Sequence, residues 1–97
     1  MSPSDELKKQ MQGNIHKRLK KIEGQIRGLQ GMIAADKDCE QILTQVRAVH
    51  SALKAVQNLI LKVYLIKCYD ETGKEQDAEG VFIKLDKVIE MLSRFID

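Results

Sequence analysis

The chain is poor in the residues that build sheets and turns. Its 97 residues include no tryptophan, two tyrosines, two phenylalanines and one proline. With Leu, Ile, Val, Lys, Glu and Gln in abundance, that is an all-helical composition. No run of about 18 apolar residues occurs, which excludes a transmembrane helix. The N-terminal stretch MSPSDELKKQ is polar and carries acids, which argues against a signal peptide and for a cytoplasmic protein. No catalytic triad, paired-carboxylate signature or nucleotide loop is found, so an enzyme is not expected, and no cofactor is called for. The net charge is only +2. Charge as a whole therefore points to no partner, and its distribution has to be examined instead.

What is present reads as one small helical domain over residues 1–97, with residues 1–14 expected to be partly flexible. In a first segment, from about Asp5 to Ala35, Ile15, Leu19, Ile22, Ile26, Leu29 and Ile33 recur at alternating steps of four and three. That is a narrow seam suited to helix pairing. Pro3 fits the first turn and Ser4 an N-cap. Gly13, Gly24, Gly28 and Gly31 each cost this helix about 1 kcal/mol relative to alanine. They imply a kink or close helix contact, or else backbone that must approach a ligand or DNA.

The run DKD at 36–38 breaks the pattern, and Asp36 or Asp38 can cap the next helix. The second segment, from about Cys39 to Cys68, continues the seam through Ile42, Val46, Val49, Leu53, Val56, Ile60 and Val63. Extra apolar residues widen its stripe, so it is expected to be central, with Cys68 delivered next to solvent at its end. YDETGKEQD reads as a loop. A third helix follows from Gln76 or Asp77 to Phe95, with a stripe of Val81 or Phe82, Leu85, Val88, Ile89, Leu92 and Phe95 or Ile96. Three unequal helices close no neat monomeric bundle. The expected assembly is a dimer built as a four-helix bundle, which can pair again.

The two cysteines are 29 positions apart. On one continuous helix they lie about 43 Å apart, far beyond the roughly 7 Å that a disulfide tolerates. Yet 29 steps of about 100° bring them to within roughly 20° of the same direction. An antiparallel partner helix would set Cys39 of one chain beside Cys68 of the other. The spacing equally suits two ordinary buried cysteines near helix ends. In a cytoplasmic protein, paired thiols are redox-active or metal-binding more often than structural. Cys39, in the first turn, has helix N–H groups and Lys37 to favour a thiolate, opposed by Asp38 and Glu40. Cys39 is accordingly read as the attacking thiol and Cys68 as the resolving one.

In HKRLKKIEGQIRG the seam is interleaved with His16, Lys17, Arg18, Lys20, Lys21 and Arg27, and only Glu23 is acidic. Charge of one sign along several turns is what a phosphate-tracking surface requires. Asn14 and Gln25 can add polar contacts. His50 reads as structural and remote from the cysteines.

The segment RLKKIEGQIRGLQGMI, the cysteine in KDC, and QILTQVRAVHSALKAVQNLILKVYLIKC together resemble the CsoR/RcnR family of bacterial repressors, over about His16 to Phe95. The resemblance implies an all-α dimer of antiparallel helices, paired into a homotetramer (a dimer of dimers), that binds operator DNA and releases it when an inducer engages cysteines between subunits. In the family's copper sensors a histidine stands four residues before the second cysteine; Tyr64 stands there in this chain. The positions of that branch's outer tyrosine and glutamate hold Asp38 and Lys84. The nickel/cobalt branch uses a further N-terminal histidine, absent here, and has histidine where Cys68 stands. Two cysteines without that histidine resemble the CstR-type branch, whose inducers are persulfides and polysulfides. On that resemblance Cys39, Cys68 and Tyr64 form the sensing site and no metal is bound. Cu(I) held by Cys39 and Cys68 is the alternative, since thiolates suit that soft ion and a neutral tyrosine does not. A helical adaptor with no DNA partner is the reading from outside this class.

Overall fold

The computed structural model describes residues 3–73 and 77–95, the side chains of residues 3, 4 and 72 excepted. Three helices follow one another: α1 (Pro3–Ala34), α2 (Cys39–Thr72) and α3 (Ala78–Phe95). Among the described residues there is no strand. α1 starts at Pro3, so Ser4 lies inside its first turn and not at the N-cap position. Gln76, one expected start of α3, and Ile96, one expected end of its stripe, fall outside the described residues.

The break between α1 and α2 is made by main-chain geometry. Asp36 takes a left-handed backbone conformation, with φ of 54°. Its N–H donates to the Ile33 carbonyl at 3.1 Å, and Lys37 N–H donates to the Met32 carbonyl at 3.0 Å. This pair of bonds is a Schellman closure, with Asp36 where glycine is usual. Asp36 therefore ends α1 and does not cap α2. Asp38 takes the N-cap position of α2, but its side chain makes no capping bond.

α2 is unbroken over 34 residues, about 51 Å of rod. It runs one turn past the expected end. Tyr69, Asp70, Glu71 and Thr72 are helical, because nothing in YDET breaks a helix before Gly73. The loop is shorter to match, and α3 begins where the Asp77 carboxylate accepts the Gly80 N–H at 2.7 Å.

α1 and α2 form an antiparallel hairpin. Gln45 Nε2 donates to the Gln25 carbonyl at 3.3 Å near the turn, and Lys8 pairs with Asp70 at 3.3 Å at the far end. α3 folds back along the C-terminal half of α2. Lys84 Nζ donates to the Glu71 carbonyl at 3.3 Å, and Gln57 Nε2 donates to the Phe95 carbonyl at 3.0 Å.

The result is a thin slab, 61 × 29 × 13 Å, with a radius of gyration of 18.6 Å. A compact chain of this length would have about 12.5 Å. Among the described residues the buried apolar core is Ile22, Val56, Cys68 and Val88. The α1 seam is split. Ile15, Ile22 and Leu29 turn toward α2, whereas Leu19, Ile26 and Ile33 remain exposed. On α2, Leu43, Val46, Leu53 and Ile60 are exposed. On α3, Val81, Val88, Met91 and Leu92 turn inward while Phe82, Ile83, Leu85, Ile89 and Phe95 do not. The stripe expected on α3 is thus shared between an inner and an outer face.

The left-handed Asp36 gives a direct check. Asp36→Val should destabilise the protein by about 1–2 kcal/mol, because a β-branched residue resists that backbone conformation. Asp36→Gly should leave the thermal midpoint level or raise it. Equal midpoints for the valine and glycine variants would contradict the Schellman closure.

Candidate functional site

The continuity of α2 keeps Cys39 and Cys68 at opposite ends of one rod, about 43 Å apart. Both thiols are free. Their surroundings are the reverse of a simple reading of helix ends. Cys39, in the first turn, is exposed; Cys68, a turn inside the far end, is 9 % exposed. The expectation of Cys68 beside solvent is therefore corrected. The extra turn of α2 and the return of α3 close over that end of the rod.

Two ties flank Cys68. From α1, Lys8 holds Asp70 and also Asp5, each at 3.3 Å. Those bonds, Asp70 first, keep the Lys8 ammonium charged to higher pH than usual. From α3, Lys84 holds the Glu71 carbonyl. In the sequence Lys84 stands out only as a replacement for another branch's glutamate. In the fold its long side chain ties α3 to the last turn of α2.

Tyr64 lies one helical turn before Cys68 and donates its hydroxyl hydrogen bond to the Cys68 sulfur. That bond, with the charge of the sulfur and partial desolvation adding to it, raises the tyrosine pKa above its ordinary value. The shift favours the protonated phenol, the form that donates toward sulfur. The same ring lines an apolar groove of about 450 Å³. Its floor is Leu53, Val56, Gln57, Ile60 and Leu61 of α2, and its walls are Leu19 of α1 and Met91 and Phe95 of α3.

Within one chain, the described residues bring together no group of three or more His, Cys, Asp or Glu side chains that could hold a metal ion. Any site that uses both thiols has to be completed by another chain.

The residues of the basic stripe on α1, His16, Lys17, Arg18, Lys20, Lys21 and Arg27, are all exposed. Arg18 Nε donates to Asn14 Oδ1 at 3.1 Å. Gln25 is placed differently from the rest. It is half-buried, and its Oε1 is buried with no hydrogen-bond partner. It lies in a recess of about 340 Å³ with Asn14, Lys17, Arg18 and Lys21. The glycines of α1 do not serve helix contact in this chain. A side-chain carbon added at Gly13 or Gly31 would meet nothing within 4 Å, and one added at Gly24 or Gly28 would meet only side-chain tips. By helical rotation they share the outward face with Lys17, Lys20 and Arg27. His50, expected away from the cysteines, is exposed and points within about 20° of the Cys39 direction.

An all-α hairpin with a third helix folded back, one thiol at each end of its central rod and a basic stripe on its first helix fits the class of helical DNA-binding regulators. Comparison with known proteins gives the class. The family model of metal-sensitive transcriptional repressors matches residues 11–94, and the chain belongs to that family, CsoR/RcnR, whose members are repressors and not enzymes. The copper-sensing transcriptional repressor RicR of Mycobacterium tuberculosis (strain ATCC 25618 / H37Rv) is 38% identical over 87 residues, 88% of this chain and 91% of its own. The copper-sensing transcriptional repressor CsoR of Bacillus subtilis (strain 168) is 36% identical over 80 residues, 82% of this chain and 79% of its own. Among solved structures, the nickel-responsive transcriptional regulator InrS superposes with a TM-score of 0.71 at 33% identity, over 87% of this chain and 91% of that one. No helix of the described residues is long and apolar enough to cross a membrane.

The contrast between the thiols is measurable. In fully reduced protein, iodoacetamide should label Cys39 at least tenfold faster than Cys68, as read by peptide mass spectrometry. Equal labelling rates would contradict the burial of Cys68.

Proposed function

We propose that this repressor senses its inducer through Cys39 of one subunit and Cys68 of an antiparallel partner, and that thiol chemistry with persulfide or polysulfide is the signal. The observation that carries the choice of chemistry is Tyr64. It stands where copper sensors of this family have histidine, and its protonated phenol is a poor ligand for a soft cation but a good donor to sulfur.

The dimer is supported by surface. The chain exposes 7565 Å², about 1,900 Å² more than a compact monomer of its length would. That excess matches what one partner buries in a substantial interface. Much of it is apolar and lies along α1 and α2, as an interface between copies needs. The outer face of α3 gives a second apolar surface for pairing dimers into a tetramer.

The chemistry then runs in two balanced steps. The Cys39 thiolate attacks the sulfane sulfur of a low-molecular-weight persulfide, the S–S bond breaks, and a thiolate leaves. Cys39 is now a persulfide. The thiolate of the partner's Cys68 attacks Sγ of Cys39, the bond from that sulfur to the outer sulfur breaks, and HS⁻ leaves, giving a disulfide. Where Cys39 carries a longer chain, attack on an inner added sulfur, with the terminal sulfur leaving as HS⁻, gives a polysulfide bridge instead. Cys39 is suited to the first step by exposure. Cys68 is suited to the second because Tyr64 and the burial around it hold its sulfur in place. Bridging ties Cys39 to the end of the rod where Lys8 and Lys84 anchor α1 and α3. The strain reaches the basic stripe through α1, and the stripe loses register with the DNA phosphates.

The operator-binding surface in this reading is the outward side of α1: His16, Lys17, Arg18, Lys20, Lys21 and Arg27, with Gln25 in the recess beside them. The glycines among these residues let phosphates approach the helix backbone.

A second reading has direct support from the relatives. Both curated proteins described above sense copper, which favours Cu(I) held by Cys39 and the partner's Cys68 more than it favours sulfur chemistry.

Anaerobic exposure to persulfide should give disulfide- or polysulfide-linked dimers by intact mass and weaken operator binding at least tenfold. Cys39→Ala should do neither. Crosslinking and derepression in Cys39→Ala would overturn the assignment. Stoichiometric Cu(I) uptake in competition with a strong chelator, with loss of DNA binding and no response to persulfide, would establish the copper reading in its place. For the DNA face, changing Lys17, Lys20, Lys21 and Arg27 to Gln should flatten the logarithmic salt dependence of binding, with the slope falling by about 0.9 for each phosphate no longer neutralised. An unchanged salt slope would remove α1 from the interface.

A further inference from the structure

We infer that His50 and Gln57 form a polar pair across the interface between two copies of this chain, and that this pair sets the register that brings Cys39 to the partner's Cys68. The inference rests on the antiparallel dimer proposed above, and it assigns a role to two residues that the sensing chemistry does not use.

The cysteine direction on α2 is a line of residues, and rotation at about 100° per residue identifies them. Leu43, Val46, His50, Gln57, Leu61 and Tyr64 all point within about 40° of Cys39. Gln57 lies on the Cys39 direction itself, and His50, like Val46 and Tyr64, within about 20° of it. His50 and Gln57 are the two uncharged polar residues in an otherwise apolar line. Leu43, Val46 and His50 are exposed, so this half of the line is uncovered in the single chain. The other half forms the floor of the groove between α1 and α3.

An antiparallel dimer with Cys39 beside the partner's Cys68 fixes every other pairing. Counting inwards from the thiols, Leu43 meets the partner's Tyr64 and Val46 meets the partner's Leu61. His50 then meets the partner's Gln57. Apolar residues meet apolar or aromatic ones, and the polar residues meet each other, twice per dimer. Sliding one chain by a heptad destroys this match. In one direction Gln57 falls against the partner's Leu43, and in the other His50 falls against the partner's Tyr64. The first slip sets the Gln57 amide against an apolar side chain; the second replaces the His50–Gln57 pair by Gln57–Gln57 and His50–Tyr64 contacts, and both part Cys39 from the partner's Cys68. A polar pair inside an apolar helix seam is a known means of fixing register at some cost in stability.

Gln57 is prepared for this contact. Its Nε2 donates to the Phe95 carbonyl at 3.0 Å, which orients the amide and turns its oxygen to the role of acceptor. An imidazole N–H of the partner's His50 supplies the donor. The last turn of α3 thus helps to aim a residue that acts in the dimer contact.

The test is site-mapped crosslinking of the reduced full-length protein with a short bis-maleimide, alongside sedimentation. Wild type should sediment as a dimer or a dimer of dimers and yield a Cys39–Cys68 link between chains. His50→Leu and Gln57→Leu should each lower that yield at least fivefold while the protein stays associated. The exchanged variant, His50→Gln with Gln57→His, should restore the yield to within twofold of wild type, because each pair is then rebuilt in reverse. A dimer whose Cys39–Cys68 yield is unmoved by either leucine substitution, or is not restored by the exchange, overturns the polar pair and leaves the dimer intact. A monomeric wild type, or a link joining Cys39 to Cys39, overturns the pair and the antiparallel dimer together.

Discussion

The protein depends on the continuity of α2. A helix of 34 residues has no hinge at which its two ends can meet. It holds two thiols on nearly one face and keeps them about 43 Å apart. Such a helix can be a sensor of sulfur chemistry only in company. Another copy running the opposite way brings unlike ends together, and it does so at two sites related by symmetry. The thinness of the slab follows from the same fact. A chain that spends over a third of its length on one straight rod has too little left to wrap it, so much of its apolar surface stays exposed.

The ends of the rod differ because the other helices treat them differently. α1 covers α2 along its length, but α3 returns only over the C-terminal half. Cys39 is therefore left open to solvent, and Cys68 is closed in by ties from both neighbours. This asymmetry suits a pair in which one thiol meets the small molecule and the other waits. Tyr64 adds to it chemically. Its phenol, favoured in the protonated form by the neighbouring sulfur, stands one turn before Cys68 as a donor toward it.

Much of this is legible in the residues. The four-three spacing implies three helices, and the separation of the cysteines implies a shared face and remote ends. The repressor family can be recognised from RLKKIEGQIRG and the two cysteine segments. The parts that escape have specific causes. Helix ends are decided by single backbone conformations. Asp36 closes α1 through a left-handed turn that sequence permits but does not announce, and YDET carries no signal to stop α2 before Gly73. Burial of Cys68 depends on where α3 lands, which no local pattern encodes. Periodicity also cannot say which half of the α1 seam faces its own chain. Ile15, Ile22 and Leu29 read the same as Leu19, Ile26 and Ile33 until α2 is placed. For His50, distance along the helix suggests remoteness from the thiols, whereas its angle around the helix is the informative quantity.

One measurement bears on the centre of this account. With Cys68 replaced by Ala and Cys39 carrying a nitroxide label, pulsed dipolar spectroscopy on the assembled protein reads the distance between equivalent sites of the two α2 helices. Head-to-tail packing places those labels at opposite ends of the rods, so a distribution centred at about 43 Å is expected, broadened by the label linkers. A distribution centred below about 20 Å, the signature of helices running side by side in the same direction, would contradict it, and so would the absence of any dipolar coupling.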